Sequence, residues 1–119
     1  MAILVLTRPE EASRRFLAAV EKGLGGPVAH IHSPSIEIVQ VPHGKIPDKT
    51  GAIILTSEQA ARRARAAGAR ADMTAWCVGD RTAVAAREEG FEAISAGGDV
   101  ETLIAAVLAA RPDALLVHI

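Results

Sequence analysis

Apolar residues along the chain fall into two alternating patterns: short unbroken runs, and longer stretches where they recur every three or four positions. The first run, Ala2–Leu6, is rich enough in Ile, Leu and Val to predict a strand buried on both faces. Pro9 then stands where a first helical turn tolerates it, and Phe16, Leu17, Val20 and Leu24 share one helical face. Gly23, Gly25 and Gly26 stop that helix. A second strand is expected near Val28–Ile31, and the alternation in Ile36–Val41 predicts a half-exposed strand. The stretch PHGKIPDKT, residues 42–50, reads as a connecting loop.

The same alternation continues to the last residue. Ala52–Leu55 predicts a strand, residues 57–67 a helix of Ala and Arg, and Ala75–Val78 another strand. Asp80–Glu89 predicts a helix ended by Gly90, followed by a short strand at Glu92–Ser95. Asp99 stands as a cap before Val100, Leu103, Ile104, Val107 and Leu108, an apolar stripe at helical spacing. Pro112 ends that helix, and Ala114–Ile119 predicts a final strand. Strands separated by helices of this length imply an α/β fold: a parallel sheet flanked by helices. The last strand, LLVHI, stops without a turn or a charged tail, so a longer parent sequence is expected.

Composition narrows the function classes. At 119 residues, half of them apolar, the chain can bury one ordinary core. A net charge of −1 gives no dominant attraction to nucleic acid or an anionic membrane. No apolar run reaches the length of a membrane span, and the N-terminus lacks the pattern of a signal peptide. With Cys77 the only cysteine, no internal disulfide can form, and a cytoplasmic location is expected. Phe16, Phe91 and Trp76 are the only aromatic residues, so there is no tyrosine to serve as an acid or a stacking platform.

Ligands of open parallel sheets bind beyond the carboxyl ends of the strands, which directs attention to four strand-to-helix junctions. They read LTRPE at 6–10, LTSEQ at 55–59, VGDRT at 78–82 and SAGGD at 95–99. Each opens a helix, whose free N–H groups suit a carboxylate or phosphate. The bland alternative is local: Thr7 to Glu10 and Thr56 to Gln59 both have capping-box spacing. Arg8 could meet an anionic ligand or pair with Glu10 or Glu11. Arg62, Arg63 and Arg65 read as a solvated face, with Glu58 and Arg62 at favourable spacing. His30 and His32 share a strand face without a third metal ligand, so no metal is expected. Cys77, beside Trp76, reads as a small buried residue rather than a nucleophile.

In order, LTRPEEASRRF, SPSIEI, AIILTSEQAAR and WCVGDRTAVAAREEGFEAISAGGDVETLIAAV resemble the first half of uroporphyrinogen-III synthase. No single motif is specific, but the ordered set is much more so. The resemblance implies two α/β lobes of flavodoxin-like type. Residues 1–34 would be a β-α-β segment of an incomplete lobe, and residues 35–119 most of the other. It also implies cofactor-free closure of the linear tetrapyrrole hydroxymethylbilane to uroporphyrinogen III, with inversion of ring D. The eight-carboxylate substrate would meet Thr7, Arg8, Thr56, Ser57, Gly79 and Thr82, with Arg81 as an extra cation. Apart from that small-molecule substrate, self-association or exchange of the 1–34 segment between chains is expected. This sequence departs from the family in having Gln59 where Asn is commoner, and Lys49-Thr50-Gly51 where a Tyr-Asp pair is commoner. On the resemblance, the family's tyrosine, linked to departure of the leaving hydroxyl, would lie in the second half, beyond the part matched here. On that resemblance the chain alone is expected to be inactive or incomplete. A non-catalytic anion-binding module is the alternative. A receiver-like signalling domain fits poorly, because LTRPE puts Arg where carboxylates would be required.

Overall fold

A computed structural model describes residues 1–119 as ten elements in two compact units, Met1–Val41 and Pro42–Ile119. The first unit contains β1 (Leu4–Leu6), α1 (Glu10–Leu24) and β2 (His30–His32). β1 and β2 form a parallel pair with Leu4 opposite His30 and Leu6 opposite His32. Pro9 is the cap residue of α1, and no side chain caps that helix. Thr7 therefore does not form the capping box its spacing suggests. The proline biases Arg8 out of the helical region, so the helix cannot begin early enough to use the Thr7 hydroxyl. Gly25 ends α1 in the left-handed conformation, φ 75°, and returns its N–H to the Glu21 carbonyl.

Two strands and one helix cannot cover both faces of β1. Leu6 is buried, but Val5 keeps 54% of its surface exposed, contrary to the expectation of a strand covered on both sides. Ile36–Val41 also differs from expectation, because it has no ladder partner and is exposed throughout. Alternation decides which face a residue would occupy; it does not supply the neighbour that makes a strand.

The second unit is a four-stranded parallel sheet of β3 (Thr50–Leu55), β4 (Thr74–Cys77), β5 (Glu92–Ser95) and β6 (Leu115–His118). It is connected by α2 (Glu58–Arg63), α3 (Asp80–Glu88) and α4 (Val100–Ala110). The α/β expectation is met. The spatial order is β5-β4-β3-β6, so the chain steps outward from β3 and then returns to its other side. Counted along the chain this is a 3-2-1-4 order, which differs from the 2-1-3-4-5 order of a flavodoxin-like sheet. The reversal falls between β3 and β6.

The residues of β3 alternate between two cores. Ile53 and Leu55, with Ala75 and Cys77, pack against Ala61 of α2, Ala64 at its C-terminal cap, and Ala83 and Ala86 of α3. Ala52 and Ile54 face the other way, with Trp76 and Leu116 beside Leu103 and Val107 of α4. Small alanines let two helices sit close on the first face; one helix serves the second. The loop before β3 is held by Ile46, which is buried, and by Arg70, whose guanidinium donates to the carbonyls of Asp48 and Thr50 at 3.1 and 3.0 Å. α2 is shorter than the predicted 57–67 helix: beyond Arg63 the chain tightens into turns that end at Gly68, φ 101°.

Candidate functional site

The carboxyl end of β3 is where sheet order reverses, and it is also where Thr56 and Ser57 lie. Their roles divide. Ser57 is extended, φ −146°, and its Oγ accepts the Ala60 N–H at 3.0 Å, so Ser57 is the cap of α2. Position Ala60 cannot complete a capping box, so the cap is a single hydrogen bond. Thr56 does not cap. Strand alternation puts it on the same face as Ile54, and its Oγ1 lies 3.2 Å from Nε2 of His118.

His118 is the functional candidate that motif reading passed over. It ends β6, opposite Ile54 in the ladder, and the following Ile119 N–H donates to the Ile54 carbonyl at 3.1 Å. The available signal was topological rather than local: a polar residue ending an apolar strand is informative once that strand lies beside Thr56. Thr56 and His118 line a groove of about 310 Å³ together with apolar side chains of β3 and α4 such as Ile54, Val100, Ile104 and Leu108. Few polar groups at the mouth of an apolar recess is the usual make-up of a small-molecule site.

Gly79, Arg81 and Thr82 are on the adjacent strand end, joined to β3 where the Val78 N–H donates to Leu55 at 3.0 Å. Gly79 precedes α3 and faces the Gly97–Gly98 turn; a Cβ on Gly79 would come within 3.2 Å of the Gly98 Cα. The Gly98 N–H donates to the Val78 carbonyl at 2.7 Å, so close backbone approach of the two loops accounts for Gly79 structurally. Arg81 is exposed on the first turn of α3, whereas Thr82 retains only 5% of its surface. A hydroxyl so covered reaches a ligand only if its helix moves. At the neighbouring end of β5, Asp99 caps α4 by accepting from Thr102 N at 2.8 Å, and Ser95 Oγ donates to Asp80 at 2.6 Å. Hydrogen bonds from the Thr102 hydroxyl, then from its N–H, hold the Asp99 carboxyl below its ordinary range.

Thr7 and Arg8 belong to the first unit. The Thr7 carbonyl accepts both the N–H and Oγ of Ser35, at 2.9 and 3.1 Å, and the Arg8 carbonyl accepts Ser13 Oγ at 2.9 Å. These bonds fix the backbone and leave the Thr7 and Arg8 side chains exposed beside a recess of about 230 Å³. His30 and His32 meet edge to face with centroids 5.3 Å apart, and no group of three or more His, Cys, Asp or Glu side chains is arranged so that it could hold a metal ion. Cys77 is fully buried, and burial pushes its thiol up to about 11, against the opposing pull of Arg87. Such a thiol is a poor nucleophile at neutral pH.

The family model described as Uroporphyrinogen-III synthase HemD matches residues 18–118. The span begins within α1, so it leaves out Thr7 and Arg8 but contains Thr56, Ser57, Gly79, Arg81, Thr82 and His118. No curated protein matches the chain. With a match over most of its length, and a parallel α/β sheet of the expected kind beneath it, the chain belongs to the uroporphyrinogen-III synthase family.

Proposed function

We propose that this chain binds the linear tetrapyrrole hydroxymethylbilane and supplies one wall of the site that closes it to uroporphyrinogen III. The observation carrying this reading is the placement of Thr56, exposed and released from capping, at the reversal point of the sheet. The substrate's carboxylates need donors, and Thr56 with the neighbouring strand end around Gly79 and Arg81 offers them. Thr7, Arg8 and Thr82 complete the proposed substrate set; Thr82 requires the most local movement. Residues 1–34 are read as part of one lobe and 35–119 as most of another. No cofactor or metal is needed, because the reaction loses water and forms a carbon–carbon bond without net oxidation.

Turnover requires more than these residues in this reading. The resemblance assigns departure of the hydroxyl to a tyrosine, and the sequence has none. No helix is long and apolar enough to cross a membrane, and we place the protein in the cytoplasm, where its one buried thiol stays reduced. Exposed Val5, Phe16, Leu24 and Ile31 of the first unit favour self-association or segment exchange. Adding enzymatically generated hydroxymethylbilane to the chain and separating the isomers tests the reading. Saturable binding with only the spontaneous type I isomer is expected; type III product would instead make this chain a complete catalyst. Absence of binding would reject the substrate assignment.

A further inference from the structure

The Thr56–His118 contact has two possible polarities, and they have opposite consequences for an anion. A threonine hydroxyl has one proton. If Thr56 donates to His118 Nε2, that proton is spent, and the hydroxyl presents only lone pairs to a carboxylate. If His118 Nε2–H donates to Thr56 Oγ1, the hydroxyl proton is free to turn outward, and the incoming bond polarises it.

We propose that His118 is a positioning residue for substrate: its Nε2–H donates to Thr56, and the Thr56 hydroxyl in turn donates to a substrate carboxylate. This inference rests on the tetrapyrrole-binding reading above. Three features support it. Both side chains are exposed, so the pair is reachable from solvent although it lies 3.2 Å apart. The ladder register of His118 opposite Ile54 fixes the ring on the face Thr56 occupies, so the pairing follows from strand geometry. Thr56 and His118 are also the only polar side chains lining the groove, and no lining residue is acidic. At about 310 Å³ the groove is near the lower limit for ligand pockets, enough for a single pyrrole-sized group rather than a tetrapyrrole. A pyrrole ring would lie against Ile54 and Ile104 while one of its carboxylates reaches Thr56.

Binding of uroporphyrin, a stable octacarboxylate tetrapyrrole, is the practical readout, measured by fluorescence on the full chain. Thr56→Ala should weaken binding roughly tenfold, the value of one hydrogen bond to a charged group, and His118→Ala by a smaller factor of roughly three, because the threonine keeps its proton and loses only the bond that orients and polarises it. The double variant should be no weaker than Thr56→Ala alone, because without the threonine hydroxyl the histidine has nothing to act through. His118→Gln, which keeps an N–H donor, should recover much of the loss. Imidazole nitrogen NMR of the complex should show a proton on His118 Nε2. Additive losses, unchanged binding by His118→Ala, or an unprotonated Nε2 in the complex would overturn the relay while leaving tetrapyrrole binding intact. If the wild-type chain fails to bind uroporphyrin, the functional reading falls and the relay with it. Thermal unfolding of each variant separates these results from loss of β6: weakened binding in a variant that unfolds at lower temperature and is not rescued by glutamine would count against the relay.

Discussion

The two faces of the four-stranded sheet are built from the same strands and end in different physical states. Toward α2 and α3, Ile53, Leu55, Ala75 and Cys77 are all fully buried. Toward α4, only Leu103 of the helix is buried, while Val100, Ile104 and Leu108 remain more than half exposed. The difference is one of helix number and side-chain size. Two alanine-rich helices close the first face; a single helix of larger side chains leaves a groove on the second. Stability is concentrated on the closed face. The open one has the recess, Thr56 and His118.

The sharpest contrast should be chemical. Cys77 lies on the closed face, and its raised pKa alone reduces the thiolate at neutral pH roughly a hundredfold from that of an ordinary thiol. Alkylation of the native chain should therefore be slower than that of the unfolded chain by more than this factor, as followed by mass spectrometry. Rapid labelling would mean that the closed face opens readily.

Deleting core volume comes next. Ile53→Ala should cost about 3 kcal/mol in denaturant unfolding, since a fully buried side chain leaves a cavity between two helices. On the open face, Ile104→Gln should change stability by less than about 0.5 kcal/mol, because that side chain is half in water. A large loss from Ile104→Gln would show that something covers α4 in solution.

The smallest effect concerns the open face's helix cap. Because the folded Asp99 carboxyl titrates below its ordinary value, it contributes stability above the ordinary carboxylate range and loses it as the pH falls through the folded value. Asp99→Asn should flatten the acid side of the stability–pH curve, with little change at neutral pH. An unchanged acid limb would mean that Thr102 does not bond the carboxylate in solution.

The sequence pattern made the strands and helices legible wherever periodicity persisted, as at Glu92–Ser95 and along Val100–Ala110. It failed where a structure depends on neighbours. Ile36–Val41 alternates correctly and pairs with nothing; Ala2–Leu6 is apolar enough for burial, yet Val5 stays exposed. Capping logic found the right element at α2 and the wrong hydroxyl pair. Thr7 lost its role to the proline two residues later, and Ser57 took the cap that the Thr56–Gln59 spacing had assigned to Thr56. His118 could not be read locally, since its significance comes from a partner 62 positions away. Thr56 was legible as a strand-end hydroxyl; its release from capping became visible only in three dimensions.

The central claim is that adjacent hydroxyls at the end of β3 do separate work, Ser57 for the fold and Thr56 for the ligand. Measuring unfolding free energy and uroporphyrin affinity for Thr56→Ala and Ser57→Ala side by side tests it directly. Ser57→Ala should lose about 1 kcal/mol of stability and retain most of its affinity. Thr56→Ala should lose affinity roughly tenfold and unfold as the parent does. Equal losses of stability with unchanged affinity would contradict the account, for both hydroxyls would then be serving only the helix.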